Sequence, residues 1–150
     1  MEKREYVIAT DSTTDMGADY YKDNNVRFIG MHYTIDDDEF IQYSDKDMEI
    51  KTFYDKVRGG SMPKTSQVSY EDLFNLFEEI VTGGKDVFYL SFSGALSGSY
   101  QTSTLAAKDI MEKYPECTVK VVDSISACGG EGFLLDHIVK RRDQGADLEE

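Results

Sequence analysis

Charge is missing from one stretch of this chain. Residues 87–107 include no Lys, Arg, Asp, Glu or His, although 30% of the 150 residues are charged. Cations are scarce overall, 16 Lys and Arg against 29 Asp and Glu, for a net charge of −13. The densest basic cluster is Lys140, Arg141 and Arg142. That is no stripe for a phosphate backbone, so no nucleic-acid partner is expected. An anionic membrane surface would repel so acidic a chain. The uncharged stretch has Ser and Gly at its middle rather than Leu and Ile, so no stable membrane insertion is expected either.

Other absences narrow the chemistry. The only two cysteines, Cys117 and Cys128, flank a predicted strand, and the start MEKREYVIAT has no apolar h-region. Both are read as reduced thiols of a soluble, cytoplasmic protein. Two His, with no CxxC or HxxxH, argue against a metal centre. Neither GxGxxG nor GxxxxGK followed by Ser or Thr occurs; Gly94 and Gly98 have the wrong spacing and no Lys follows. No metal and no cofactor is expected.

What is present suits one folded domain: 40% apolar residues, ten Tyr and eight Phe. Short β-branched or aromatic runs at 6–10, 87–90 and 118–122 read as buried strands, and a longer alternating run spans 27–35. The 40–43 segment, after the turn at 36–39, is left open between a returning hairpin and extended chain. Ile50, Phe53, Tyr54 and Val57 have helical spacing and close at Gly59 and Gly60. Ser69 caps a second helix striped by Tyr70, Leu73, Phe74, Phe77, Ile80 and Val81. A third helix is expected over 97–114, before Pro115, and a fourth over 130–144, burying Phe133, Leu134 and Ile138. The final ADLEE reads as the start of a further helix capped by Asp147, which is expected of a longer protein. Strand–helix alternation predicts an α/β fold, a three-layer α/β/α Rossmann-like domain with a mostly parallel sheet.

Three predicted strands end in polar runs: Thr10 to Asp15 (TDSTTD), Ser91 to Ser99, and Asp123, Ser124 and Ser126. Parallel strands would gather these at one edge of the sheet, where ligands of open α/β sheets bind. Lys64, Thr65, Ser66 and Gln67 precede the Ser69 cap and can join them. Hydroxyls and N–H groups at a helix start suit an anion. A polyphosphate would also recruit Lys, Arg or a metal, so a monoanion fits better. Asp11 and Asp123 are read as brackets that fix loop N–H groups.

Rival readings use the same residues. Ser93, between small Ser91 and Ala95, precedes Asp123 and His137 in the chain order of a serine hydrolase or esterase acting on an acyl substrate. Against this, His137 falls inside a predicted helix rather than on a loop. Asp11 and Asp15 are wrongly spaced for an aspartyl phosphatase. An interaction domain with an acidic docking face is the blandest alternative. His32 is assigned to packing or surface.

Four motifs in order carry a resemblance: TDSTTD from Thr10, PKTSQ from Pro63, SGALSGSYQTS from Ser93, and VDS from Val122 before a Gly-rich turn. The chain resembles the DegV family of bacterial fatty-acid-binding proteins along nearly its whole length. The resemblance implies a Rossmann-like N-terminal α/β/α domain, here lacking the family's second domain, with which it would enclose a long-chain fatty acid. It implies that Thr65, Ser66, Ser93, Gly94 and Ser97 hold the carboxylate, with Asp11, Ser12, Asp123 and Ser124 in support. It further implies a carrier that does no chemistry itself, some members presenting the acid to a separate ATP-dependent fatty-acid kinase. Val68 stands where the family often has Pro, and Ser99 where Thr is commoner. Family members are also markedly longer.

Overall fold

A computed structural model describes residues 4–150. Its strands are β1 (Tyr6–Asp11), β2 (Val26–Ile29), β3 (His32–Ile35), β4 (Asp38–Ile41), β5 (Lys64–Thr65), β6 (Asp86–Ser91) and β7 (Val119–Asp123). Its helices are α1 (Ala18–Asp23), α2 (Ile50–Arg58), α3 (Tyr70–Thr82), α4 (Ser99–Lys113) and α5 (Cys128–Asp143), with a 3-10 turn at Ser12–Thr14.

Four strands form one sheet in the order β2-β1-β6-β7, and every pairing is parallel. Side chains alternate between its faces, as the pleat requires. Val87 and Tyr89 of β6 meet Leu73 and Phe77 of α3 and Ala106 and Ile110 of α4. Phe88 and Leu90 face the other way, toward Tyr21 of α1 and Leu135 and Val139 of α5. Each fully buried Leu, Ile or Phe contributes about 1.5–3 kcal/mol. The expected three-layer α/β/α arrangement is therefore present, built on two cores that share one sheet. At the head of α3 the Ser69 hydroxyl accepts the Asp72 N–H at 3.0 Å, the expected cap.

The 27–35 run departs from expectation. It is two strands, not one, and the chain leaves the main sheet at Gly30. A Cβ there would run into the Gln42 carbonyl oxygen and lie 2.8 Å from Ile41 Cγ2. Beyond Gly30, β3 pairs antiparallel with β4 and with β5 in a second, three-stranded sheet. Asp36 and Asp37 turn the β3–β4 hairpin with φ of 54° and 68°, a conformation that short polar side chains tolerate. The hairpin alternative for 40–43 is thus realised, with β4 at its start.

Strand–helix alternation called for a helix after the first strand, and α1 is that helix, six residues long. One helix differs from expectation. In α5, Phe133 is 74% exposed rather than buried, while Leu134 and Ile138 are half-buried. The buried stripe is instead Glu131, Leu135 and Val139, each four residues apart. Gly132 sets this rotation, because a Cβ on it would lie 2.5 Å from the Thr14 carbonyl oxygen and 2.8 Å from the Met16 sulfur. Cys117 is buried and Cys128 exposed, and both are free. Among the described residues no helix is long and apolar enough to cross a membrane.

Gly30→Ala should force the second sheet away from the first and lower stability by about 1–3 kcal/mol, as overpacking does. Urea unfolding measures it. An unchanged midpoint would mean that the crossing tolerates a methyl group.

Candidate functional site

The parallel strands deliver their polar ends to one edge. The order β2-β1-β6-β7 reverses direction between β1 and β6, so the crevice lies between Asp11 and the segment after Ser91. Asp11 is fully buried. One of its carboxylate oxygens accepts the Thr13 N–H at 3.1 Å and the Thr13 hydroxyl; the other accepts the Phe92 N–H at 3.3 Å. Below it, the Thr10 hydroxyl donates to the Leu90 carbonyl at 2.9 Å, so β1 and β6 are tied by side chains as well as by their ladder.

Asp123, at the end of β7, accepts the Gly94 N–H at 3.1 Å and the Ile125 N–H at 2.9 Å. Ile125 takes φ +49°, unusual for a β-branched residue, and is 81% exposed. Ser124 is buried, its N–H donating to the Ser91 carbonyl at 3.0 Å and its hydroxyl donating to the Ser126 carbonyl at 3.1 Å. A Cβ on Gly94 would sit 2.9 Å from an Asp123 carboxylate oxygen, so this contact needs a bare backbone.

Amides of the 92–99 loop were expected to help hold the ligand, and most of them are already bonded within the protein. Ser93 N–H donates to the Ser126 carbonyl, Ala95 N–H to the Ser93 hydroxyl, and Leu96 and Ser97 N–H to the Ser93 carbonyl. Ser99 N–H donates to the Ser97 hydroxyl. The Gly98, Tyr100 and Gln101 amides at the head of α4 have no hydrogen-bond partner among the described residues. Those three amides and the hydroxyls are therefore the donors left over.

The segment with Thr65 and Ser66 docks beside that helix. Val68 N–H donates to the Ser99 hydroxyl at 3.2 Å, and the Gln67 amide to the Thr102 hydroxyl at 3.2 Å. Ser97 and Ser99 share a bond of 2.9 Å. Gly98 permits the approach, since a Cβ on it would collide with the Gln67 side chain. Thr65 and Ser66 themselves are exposed, Ser97 is half-buried, and Ser93 is 3% exposed.

A cavity of about 380 Å³ opens beside Thr65. Met31, Tyr33, Met48, Phe53, Tyr54 and Pro63 give it mainly apolar walls, with Gln42 and Asp15 at its polar side. Ser12 closes that side, donating to Gln42 at 2.7 Å and accepting the Met31 N–H at 2.9 Å. Sequence reading missed this compartment because it needs the second sheet and α2 folded against each other. A hollow of about 680 Å³ at the opposite edge is lined by Lys22, Arg27, Lys85 and Arg142. Arg27 pairs with Glu79, Lys85 with Glu5, and Arg142 with Asp143 and the Asn24 carbonyl.

The rival triad is not assembled. His137 is exposed on α5, and the Asp123 carboxylate receives backbone N–H groups instead of an imidazole. Among the described residues no cluster of three His, Cys, Asp or Glu is placed to hold a metal ion.

Sequence reading also missed Glu131. It heads the buried stripe of α5, and an acid at position i before Leu135 and Val139 was the available signal. It is fully buried, one carboxyl oxygen 2.7 Å from the Thr13 hydroxyl and the other without a partner. Burial, and then the nearby Asp11 charge, pushes its pKa up to about 8. Burial raises Asp11 as well, against the lowering effect of its Thr13 and Phe92 hydrogen bonds.

These features define a class first: a Rossmann-like α/β/α domain with a hydroxyl-lined crevice at its topological switch point, in place of a glycine-rich nucleotide loop. The chain belongs to the DegV family, whose model, described as "Uncharacterised protein, DegV family", matches residues 5–150. It is 38% identical to a DegV domain-containing protein of Clostridium perfringens, covering 98% of this chain and 50% of that one. A Lactococcus lactis relative is 31% identical, with 97% and 50% covered. Among solved structures, a fatty-acid-binding DegV family protein of Thermus thermophilus superposes with a TM-score of 0.83 at 29% identity, covering 97% of this chain and 50% of that one. A stearic-acid-binding protein of Eubacterium ventriosum has the same fold, with a TM-score of 0.86 at 24% identity and 96% and 50% covered. The chain spans about half the length of the relatives it matches.

Glu131 sets a pH dependence with a definite sign. Its folded pKa of about 8 lies above the ordinary 4.5, so the folded chain keeps a proton that the unfolded chain releases. Stability is full in acid, falls as pH rises from about 4.5 to 8 by up to about 1.4 kcal/mol per unit, then levels off. Glu131→Gln should flatten that slope in urea titrations across the window. Equal slopes in both proteins would exclude Glu131 as its source.

Proposed function

We propose that this chain is a non-enzymatic carrier domain that binds a long-chain fatty acid, with Thr65, Ser66, Ser93 and Ser97 taking the carboxylate. Gly94 gives the loop its close approach to Asp123, while Asp11, Ser12, Asp123 and Ser124 hold the framework. The observation that carries this reading is the mainly apolar cavity that opens at Thr65, with no Lys or Arg among its lining residues.

The physical case is a division of labour. A single carboxylate charge is satisfied by a few hydroxyl and amide donors. Affinity comes from the tail, at about 0.8 kcal/mol per buried CH2, so a dozen methylenes give roughly 10 kcal/mol before binding costs. A weakly polar head site is then sufficient. The fatty-acid-binding DegV protein of Thermus thermophilus, at 29% identity, supports the assignment.

In this reading the chain is the N-terminal α/β/α half of a DegV architecture, and a second half completes the wall of the tail cavity. The loaded carrier, in the cytoplasm, then presents the exposed carboxylate to an ATP-dependent fatty-acid kinase. A hydrolase role is not favoured, because Ser93 has no imidazole beside it.

Mass spectrometry under native conditions should find a long-chain acid co-purifying with the protein in its full length. Thr65→Ala combined with Ser93→Ala should reduce that retention at least about tenfold, since hydrogen bonds to a charged group contribute about 1.5–3 kcal/mol each. Undiminished acid in the double variant would overturn the head-group assignment.

A further inference from the structure

The Thr13 hydroxyl stands between two buried carboxyl groups, those of Asp11 and Glu131. The Thr13 oxygen lies within hydrogen-bond reach of an Asp11 carboxylate oxygen and, at 2.7 Å, of Glu131 Oε2. A hydroxyl has one proton to donate and otherwise only accepts. Two ionised carboxylates cannot both be served by it. Asp11 already receives the Thr13 and Phe92 N–H groups, as a carboxylate anion should. Glu131 has no donor other than Thr13, and its second oxygen is buried without a partner. An unpaired anion is far costlier to bury than a neutral acid.

We propose that Glu131 and Thr13 are positioning residues. Glu131 is a neutral acid that donates to Thr13, Thr13 donates to Asp11, and Asp11 so fixed holds the Phe92 amide and the 92–94 loop in place. The route crosses three elements, from the first turn of α5 through the 3-10 turn to β1, and ends beside Ser93. For its last step, the bearing on ligand, this rests on the proposed fatty-acid site.

Burial and the charges of Asp11, Asp15 and Asp123 push Glu131 toward the protonated form, and the Thr13 hydrogen bond pushes the other way. From the 3-10 turn and its end come Thr13 and Asp15, from β1 Asp11, from β6 Tyr89, from β7 Asp123, and from α5 itself Cys128. No cation is among them. Loss of the Glu131 proton would leave two anions competing for one hydroxyl, beneath a crevice meant for a third. A bound carboxylate and a deprotonated Glu131 therefore oppose each other, and the opposition is reciprocal.

The test follows the proton and the loop together by NMR, in the full chain without ligand, from about pH 5 to 10, a window that brackets the Glu131 midpoint. The Glu131 carboxyl carbon and the Phe92 amide should shift with one common midpoint near 8. In Glu131→Gln, whose amide still donates to Thr13, the Phe92 shift should be flat over that range. In Thr13→Val the Phe92 amide should no longer follow Glu131, and Thr13→Ser should restore the coupling; where Thr13→Val fails to fold, the Ser and Gln variants decide. Release of the Glu131 proton in the ordinary carboxylate range, or an unaltered Phe92 titration in Glu131→Gln, would overturn the proposal.

Oleate titrations supply the functional arm. The wild-type dissociation constant should rise up to about tenfold per pH unit above 8, one proton being linked, while Glu131→Gln stays flat. Oleate binding that ignores pH in both proteins would remove the positioning role, whatever the NMR coupling. Failure of both proteins to bind oleate at any pH, with the coupling intact, would instead sink the fatty-acid reading and leave the shared proton standing.

Discussion

The buried carboxylate of Asp11 bridges the switch point of the sheet. It ends β1, yet its second oxygen holds the Phe92 amide at the end of β6, across the gap where strand order reverses. Without that bridge the amides of 92–94 would have only Asp123 and the Ser126 carbonyl to donate to. Asp123 repeats the device one strand further along. Two acids thus use backbone N–H groups that a nucleotide-binding loop would leave for phosphate. What remains pointing outward is chiefly hydroxyl, and this limits the ligand more than any single residue does.

A site made this way has an unusual electrostatic balance. Asp11, Asp15, Asp123 and Glu131 lie under or around the rim, and residues 87–107 contain no cation to offset them. Such a place should repel anions unless its own charge is held down. Hydrogen bonds spread the charge of Asp11 and Asp123 over several N–H groups, and protonation cancels that of Glu131. The remaining attraction is weak, which suits a ligand whose affinity resides in hydrocarbon. A head group with two or more charges would gain little and be repelled more.

The amount of this visible in the sequence differed by element, for physical reasons. β6 and β7 were legible because they are short, apolar and bounded by turn residues, and α3 because Ser69 precedes a clean stripe. The rim was legible because parallel strands put their ends on one edge, so three polar runs had to meet. Gly30 was not, because its need to lack a side chain comes from Gln42, twelve positions later and just past the end of β4. Phe133 misled because apolar character alone cannot fix the rotation of a helix. The contact that does so, Gly132 against Thr14, is tertiary. Glu131 was overlooked for the same reason: an acid among glycines reads as solvent-facing until the helix is placed.

The two sheets divide the site between a stiff part and a loose one. The main sheet is covered on both faces, and the groups that fix the 92–94 loop lie at its buried end. The apolar cavity is walled by the second sheet and α2, a helix with no buried residue at all. Phe53 packs edge-on to Tyr33 with ring centres 5.7 Å apart, and Lys56 pairs with Asp36 at 2.7 Å on the surface. An exposed ion pair contributes about 0–1 kcal/mol. Few buried contacts mean a low local opening free energy. For the proposed carrier, holding a carboxylate requires fixed angles whereas a hydrocarbon wall requires only area, and the fold places its rigidity where direction would matter.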